Sequence, residues 1–251
     1  MFIIDWFKNL FFTNKNAPST RAIHAVTIGW NSVDPTVYYG WTGDLPDCEL
    51  DAKRAAKMCK KYKIPVQTLL TENAKIEDCK KALINALEGL KSGDILLIWV
   101  SGHGGQEVDT NGDEKDGYDE YLCAYDGPIL DDTINDWFNY VPEGVCVLWI
   151  CDTCHSGTME RSAPVFNKNA IPLEFKGQLI LISGCTEKGT SQSTGNGGVL
   201  TRAMLGSGPK GKTPITWYRK AIKSIPKKVQ QPQYVEYGNV NDKFRNGIII
   251  K

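Results

Sequence analysis

Little in this sequence is in excess. Its 251 residues hold three histidines, four methionines and twelve prolines, and Lys plus Arg (29) equals Asp plus Glu (29). With no net charge there is no bulk basic field to draw in nucleic acid and no acidic tail to imitate it, so any charge recognition has to be local. No internal repeat or low-complexity tract is present. A hydrophobic share of 41%, a charged share of 23% and a mean hydropathy of −0.31 describe a globular chain, not a disordered, collagen-like or membrane-spanning one. Zinc-type clusters are also scarce: eight cysteines and His24, His103 and His155 supply a single Cys-x-x-Cys, at Cys151 and Cys154, so structural zinc is not expected. The cysteines sit in apolar, strand-like or helix-like surroundings rather than in a short loop-rich framework, which reads as free thiols in a reducing, cytoplasmic setting.

What is present begins with MFIIDWFKNLFF. Asp5 and Lys8 interrupt this apolar run and no small-x-small cleavage site follows before NKNAPST, so a secretory signal is not expected. Coiled as a helix, it places Phe2, Ile3, Trp6 and Leu10 on one stripe with Phe7 and Phe11 beside it. That stripe suits packing on the rest of the protein, which is the expectation, or lying on a membrane surface through residues 1–12, which is the alternative. Residues 13–20 are polar. The organisation expected is therefore an N-terminal apolar segment and linker over 1–20 and one domain over 21–251, since 251 residues suit one buried core.

Beyond Arg21, strand-like runs (23–30, 64–70, 94–101, 145–152 and 178–184) alternate with helix-period stretches (49–62, 75–90 and 131–141), with Gly93 and Gly144 as turn residues. Strand, helix, strand in repetition implies an α/β fold, a three-layer sandwich whose central sheet of about six strands is mostly parallel, with helices on both faces. ILLIWV and VCVLWI are continuous apolar runs, as strands covered on both faces should be.

In such sheets the functional crevice lies beyond the carboxyl ends of the strands. One strand runs out into Ser101-Gly-His103-Gly104-Gly-Gln and another into Cys151-Asp152-Thr-Cys154-His155-Ser-Gly. A thiolate is the reactive form of cysteine, and an imidazole nearby takes its proton and later donates one to a leaving group. Cys154 and His103 suit that division, with the amides near Gly104 and Cys154 as an oxyanion hole and the glycines allowing close approach. His155 suits it poorly, because adjacent side chains usually diverge. Taken singly, His103 reads as a loop histidine and Cys154 as a buried thiol. Their arrival together at two strand ends favours the chemical reading.

SGHGGQ, then DGYDEYLCAYDGPILDDTIND, then DTCHSGT, resembles the caspase-like cysteine peptidases, and within them the metacaspase group. The resemblance runs from about residue 22 to 237, where QQPQY (230–234) is similar to the family's closing strand. Caspases proper carry Gln-Ala-Cys-x-Gly around the nucleophile; Asp-x-Cys-His-Ser-Gly points to metacaspases. The resemblance implies an endopeptidase acting on peptides and proteins after Arg or Lys, with Cys48, Asp51, Ser101 and Asp152 lining the pocket for the basic side chain. Two carboxylates in a narrow crevice would pair with a guanidinium or ammonium and repel an acidic side chain. It further implies calcium as an activator, held by Asp119, Asp131 and Asp132, and a monomer.

The chain departs from the family pattern in places. Glu160 and Arg161 stand where the family has a further aspartate after the nucleophile, and Ser193 where it often has one in the loop over 185–194. The segment 160–177, with Arg161, Lys168 and Lys176, is short where related enzymes carry a long basic linker cut by the enzyme itself, so self-cleavage is expected to be absent or limited. Two other local patterns compete. DTNGDEKDGYDE (109–120) puts Asp109, Asn111, Asp113 and Glu120 at EF-hand positions, yet Glu114 occupies the position that demands glycine, and YLCAY reads as a strand. Cys151 and Cys154 also match a thioredoxin-like redox pair, a reading that leaves SGHGG and both pocket aspartates unexplained. The reading that accounts for most residues is a cysteine endopeptidase working through Cys154 and His103. A caspase-like binding or scaffold protein without activity is the alternative.

Overall fold

The aliphatic runs form strands and the period-3.6 stretches form helices in the computed structural model, which describes residues 21–110, 117–155, 175–184 and 195–251. In chain order these are β1 (Ile23–Gly29), α1 (Cys48–Lys61), β2 (Val66–Leu70), α2 (Ile76–Leu87), β3 (Ile95–Val108), β4 (Tyr118–Ala124), β5 (Gly127–Leu130), α3 (Asp131–Phe138), β6 (Cys146–His155), β7 (Gln178–Ser183), α4 (Val199–Ser207), α5 (Pro214–Ile222), β8 (Gln233–Gly238) and α6 (Asp242–Arg245). The strands line up as β2-β1-β3-β6-β7-β8, parallel except for β8, which runs antiparallel to β7. Order reverses between β1 and β3, the switch point at which such sheets open a crevice.

The main ladder has the expected six strands, and β4 and β5 bring the sheet to eight. They arise because β3 does not stop where its apolar run stops. After pairing with β1 and β6 over residues 95–104, it continues to Val108 and pairs antiparallel with β4. The strand expected at 145–152 likewise continues to His155. The expected helix ends also move: α2 stops at Leu87 and α3 at Phe138.

The first ten residues of β3 are buried without a break, since helices cover both faces. One face packs α2 and α3 through Leu83, Leu87, Trp137 and Phe138; the other packs α1, α4, α5 and α6 through Met58, Met204, Trp217 and Phe244. Three fully buried tryptophans each find an acceptor for the indole N–H, as burial demands. Trp30 donates to the Ala74 carbonyl (2.7 Å), Trp99 to the Thr201 hydroxyl (3.1 Å) and Trp217 to the Met204 carbonyl (2.8 Å). The last two fasten α4 between β3 and α5, which matters for the site.

Candidate active site

Three strands end level with one another. Gly29 of β1 is in register with Ser101 of β3, and Ser101 with Asp152 of β6; two residues further on, His103 is in register with Cys154. The histidine and the cysteine therefore sit on directly hydrogen-bonded strands, inside the sheet and not in loops after it. The glycines of SGHGG turn out to serve packing. A Cβ on Gly102 would lie 2.8 Å from the Trp30 ring, and one on Gly105 would lie 2.6 Å from Tyr121. Gly104 is in register with Leu122 of β4 and His155 of β6, where the parallel and antiparallel ladders meet. Gly29 likewise lacks room for a Cβ, which would collide with the Cys48 carbonyl, and so admits the start of α1 to the strand ends. Asn31 holds it there by accepting from the Glu49 amide (2.8 Å).

One turn into α1, Asp51 meets the other predicted pocket residues. Its Oδ2 accepts from the Ser101 hydroxyl (2.9 Å) and from the Gly198 amide (2.9 Å). Asp152 Oδ2 accepts from the Thr201 amide (2.8 Å). Gly198 and Thr201 belong to the first turn of α4, so two carboxylates share one helix N-terminus, whose free N–H groups and partial positive charge favour anions there. The favour is incomplete: burial, reinforced by the Asp152 charge, pushes the Asp51 carboxyl up to about 7 against its bonds to Gly198 and Ser101. Asp51 Oδ1 is buried with no hydrogen-bond partner among the described residues. Cys48 is buried at the start of the same helix.

His103 is 7% exposed, and burial lowers its pKa while a backbone hydrogen bond to Gly43 opposes the shift. Its Nδ1 is buried without a hydrogen-bond partner. An N–H held toward Gly43 leaves Nδ1 as the nitrogen with a free lone pair, the form a general base requires. Trp41 covers the ring, centroids 5.0 Å apart.

Sequence reasoning missed Trp41 and Gly43, from the irregular segment between β1 and α1, and it missed Gly197, Gly198, Thr201, Arg54 and Asn196. The Gly-Asn-Gly-Gly run ahead of VLTRAM was the available signal. Gly197 has a positive φ (+97°), and a Cβ there would lie 2.5 Å from Asp51 Oδ1 and 2.9 Å from Arg54 Nη1. Arg54 grips the turn with a fork, Nη1 to the Asn196 carbonyl and Nη2 to the Asn196 side-chain oxygen, both 2.7 Å.

The predicted calcium ligands form a second acidic group. Asp119 and Asp131 are buried, Asp132 is half-buried, and burial together with the charges of Glu120, Asp132 and Asp119 pushes the Asp131 carboxyl up to about 7. Asp131 Oδ1 accepts from the Asp132 amide (3.0 Å), while Oδ2 is buried and unpartnered. Oxygen donors repelling one another around an orphaned carboxylate oxygen fit a hard cation in kind, although among the described residues no group of three closes around one point. Glu160, Arg161, Lys168 and Ser193 lie outside the described residues, as do residues 1–20; Lys176 is exposed.

Both rival patterns lose their geometry. The segment 109–120 is flanked by antiparallel strands β3 and β4 and not by helices, and Glu120 accepts from Gln106 across that ladder (2.8 Å). Cys151 is mid-strand and fully buried, not at a helix N-terminus. The six cysteines whose side chains are described, Cys48, Cys59, Cys79, Cys123, Cys146 and Cys151, are buried thiols in no disulfide, and burial pushes those of Cys59, Cys123 and Cys146 up to about 12, 12 and 11. These are packing thiols. His24 is structural too, its Nδ1 lying 2.8 Å from the Ala86 carbonyl.

Comparison with known proteins bears on the family and the fold. The family described as metacaspase, peptidase C14 domain, matches residues 24–161. Metacaspase-1 of Arabidopsis thaliana is 35% identical over 153 residues, covering 53% of this chain and 39% of the relative. Metacaspase-1 of Cryptococcus neoformans is 30% identical over 188 residues, covering 69% and 41%. The chain thus spans about two fifths of the length of these relatives. A crystal structure of a Geobacter sulfurreducens protein superposes with a TM-score of 0.78 at 29% identity, covering 91% of this chain and 98% of that one. Caspase-1 of Spodoptera frugiperda shares the fold, with a TM-score of 0.58 at 16% identity over 86% and 85% of the two chains.

Proposed function

The chain belongs to the metacaspase family of peptidase C14 domains, and from that premise we propose that it is a cysteine endopeptidase that cleaves after Arg or Lys. The observation that carries the reading is the pair of carboxylates, Asp51 with an unpartnered buried oxygen and Asp152 beside it, the latter two residues before the strand position shared by His103 and Cys154. A guanidinium or ammonium entering there would satisfy Asp51 Oδ1 and offset the burial and the Asp152 charge that push its carboxyl up to about 7. An Asp or Glu side chain would add a third negative charge to the site.

With the basic side chain held by Asp51, Asp152 and Ser101, Cys154 attacks the scissile carbonyl after passing its proton to His103. The backbone amides of Gly104 and Cys154 take the oxyanion. His103 then protonates the departing amine, and water releases the acyl group from the sulfur with His103 again as base. Burial, by keeping His103 neutral, suits the first step. Calcium belongs to the same proposal as an activator held by Asp119, Asp131 and Asp132, where it would neutralise clustered charge and order the neighbouring strands without taking part in bond breaking.

Fluorogenic peptides ending in Arg, Lys or Asp test this, with millimolar calcium or chelator, on the wild-type chain and on Cys154→Ala. Cleavage after Arg and Lys alone, abolished by Cys154→Ala, is expected. Silence on every peptide from a folded sample would transfer the assignment to an inactive, peptide-binding scaffold.

A further inference from the structure

The net charge of zero conceals a strong separation. Residues 71–143, which supply α2, α3 and the β4–β5 pair, contain 17 Asp or Glu and 5 Lys or Arg. Residues 195–230, which supply α4 and α5, contain eight Lys or Arg and no Asp or Glu, and residues 48–63, which supply α1, contain six and two. Among the described residues of 71–143, eleven Asp or Glu and four Lys are exposed or half-buried, and because α2 and α3 pack on one face of the sheet and α1, α4 and α5 on the other, the first layer is the more acidic and the second is basic.

We propose that the α1–α4–α5 face is a docking surface for an anionic membrane. Lys57, Lys60, Lys61, Lys220, Lys223 and Lys227 are exposed and make no ion pair among the described residues, whereas Lys53 of the same layer pairs with Glu49. None of the large exposed apolar side chains lies on α1, α4 or α5, so the face offers charge without stacking platforms for bases. A plane of anionic headgroups attracts this face and repels the opposite one, so a single orientation results. In that orientation the carboxyl edge of β3 and β6, which lies between the two layers, stays open at the side.

Where residues 1–20 join the fold decides between a bilayer and a nucleic acid duplex. Arg21 donates to the Lys243 carbonyl (3.2 Å), and Lys243 lies on α6, whose Phe244 packs with the basic layer. Arg21 is thus tied to the basic layer, and the sequence that precedes it carries Phe2, Ile3, Trp6, Phe7, Leu10 and Phe11. Stable membrane attachment takes an apolar signal and a polybasic one together, and this sequence contains both.

Sedimentation with phosphatidylcholine vesicles, with and without about one-third phosphatidylserine, tests the proposal on the full chain. Wild type should pellet with the anionic vesicles alone and be released by salt. Replacing Lys57, Lys61, Lys223 and Lys227 by Gln should weaken partitioning by two orders of magnitude or more, at about fivefold per lysine. Trp6→Ser with Phe7→Ser should weaken it further, and neutralising Glu77, Asp78 and Glu88 should not weaken it. Peptide hydrolysis, or the folding transition if no peptide is cleaved, shows that each variant is intact. Equal pelleting of the four-lysine variant overturns the proposal, and so does retention of duplex DNA at a salt concentration where anionic vesicles bind nothing.

Discussion

Asp51 and Asp131 are each 1% exposed, each carries one buried oxygen without a partner, and each has its carboxyl pushed up to about 7. Their surroundings differ. Asp51 has Asp152 and, more weakly, Asp47 as rival charges, and Asp51 and Asp152 are both held by first-turn amides of α4, with Ser101 as a further donor. Asp131 faces the charges of Glu120, Asp132 and Asp119, and its Oδ1 accepts from the neighbouring amide of Asp132. The first arrangement keeps its geometry by itself and needs a cation only to satisfy one oxygen, as a substrate pocket must before substrate arrives. The second is held short of neutralisation, as a site completed by an ion would be. The same titration shift thus accompanies a preorganised site in one place and an unfinished one in the other.

The largest expected effect separates the two in activity. Asp51→Asn or Asp152→Asn should lower kcat/KM for Arg-ending peptides by about 100-fold or more, the cost of unpairing a buried charge, while Asp131→Asn should lose activity at the calcium concentration that half-saturates the wild type and recover it at saturating calcium, as the proposed ion site predicts. A titration of rate against calcium would show a raised half-saturation for Asp131→Asn and none for Asp51→Asn. Should all three variants respond alike, the two sites are not distinct in function.

Stability against pH sharpens the contrast. A carboxyl whose folded pKa lies above its unfolded value near 4 binds its proton more tightly in the folded state. Stability is then full below about 4 and is lost as pH rises toward 7. Asp131→Asn should therefore raise Tm by several degrees at pH 8 and leave it unchanged at pH 4. Asp51→Asn should gain less, because the charged form of Asp51 is the better acceptor for Ser101 and Gly198. Calcium should raise the Tm of the wild type at pH 8, should do so less at pH 5 where Asp131 is protonated, and should leave Asp131→Asn unmoved.

The smallest effect concerns what keeps the first site in shape. Arg54→Lys retains the charge but not the fork that grips Asn196, so the Gly197–Gly198 turn loses one of its two ties. KM for Arg-ending peptides should rise about threefold to tenfold, the worth of one hydrogen bond, with kcat little changed. A fall in kcat at constant KM would mean that Arg54 acts elsewhere.

Much of this was legible beforehand. The apolar runs ILLIWV and VCVLWI announced buried strands, and the pairing of His103 with Cys154 followed from two such runs ending alike. The glycines beside His103 were visible but their purpose was not: close approach to a substrate was expected, whereas Trp30 and Tyr121 occupy the space beside Gly102 and Gly105. Strand ends were misplaced because apolar patterning reports burial between helices, and β3 and β6 run on past that zone into residues patterned by the site. The β4–β5 pair escaped for the same reason, its residues mixing Asp119 and Glu120 with Leu122 and Cys123.

Local sequence determined which segments became strands and helices, since periodicity and β-branching act over a few residues. It also determined that a histidine and a cysteine would stand near the same ends of two strands. Tertiary structure alone decided that Gly198 and Thr201, about 150 and 50 residues from the carboxylates they hold, would cap Asp51 and Asp152. It alone turned a neutral composition into a more acidic layer and a basic one. Both depend on which helix covers which face of the sheet, and that is set by packing across the whole core, where no run of neighbouring residues carries the information.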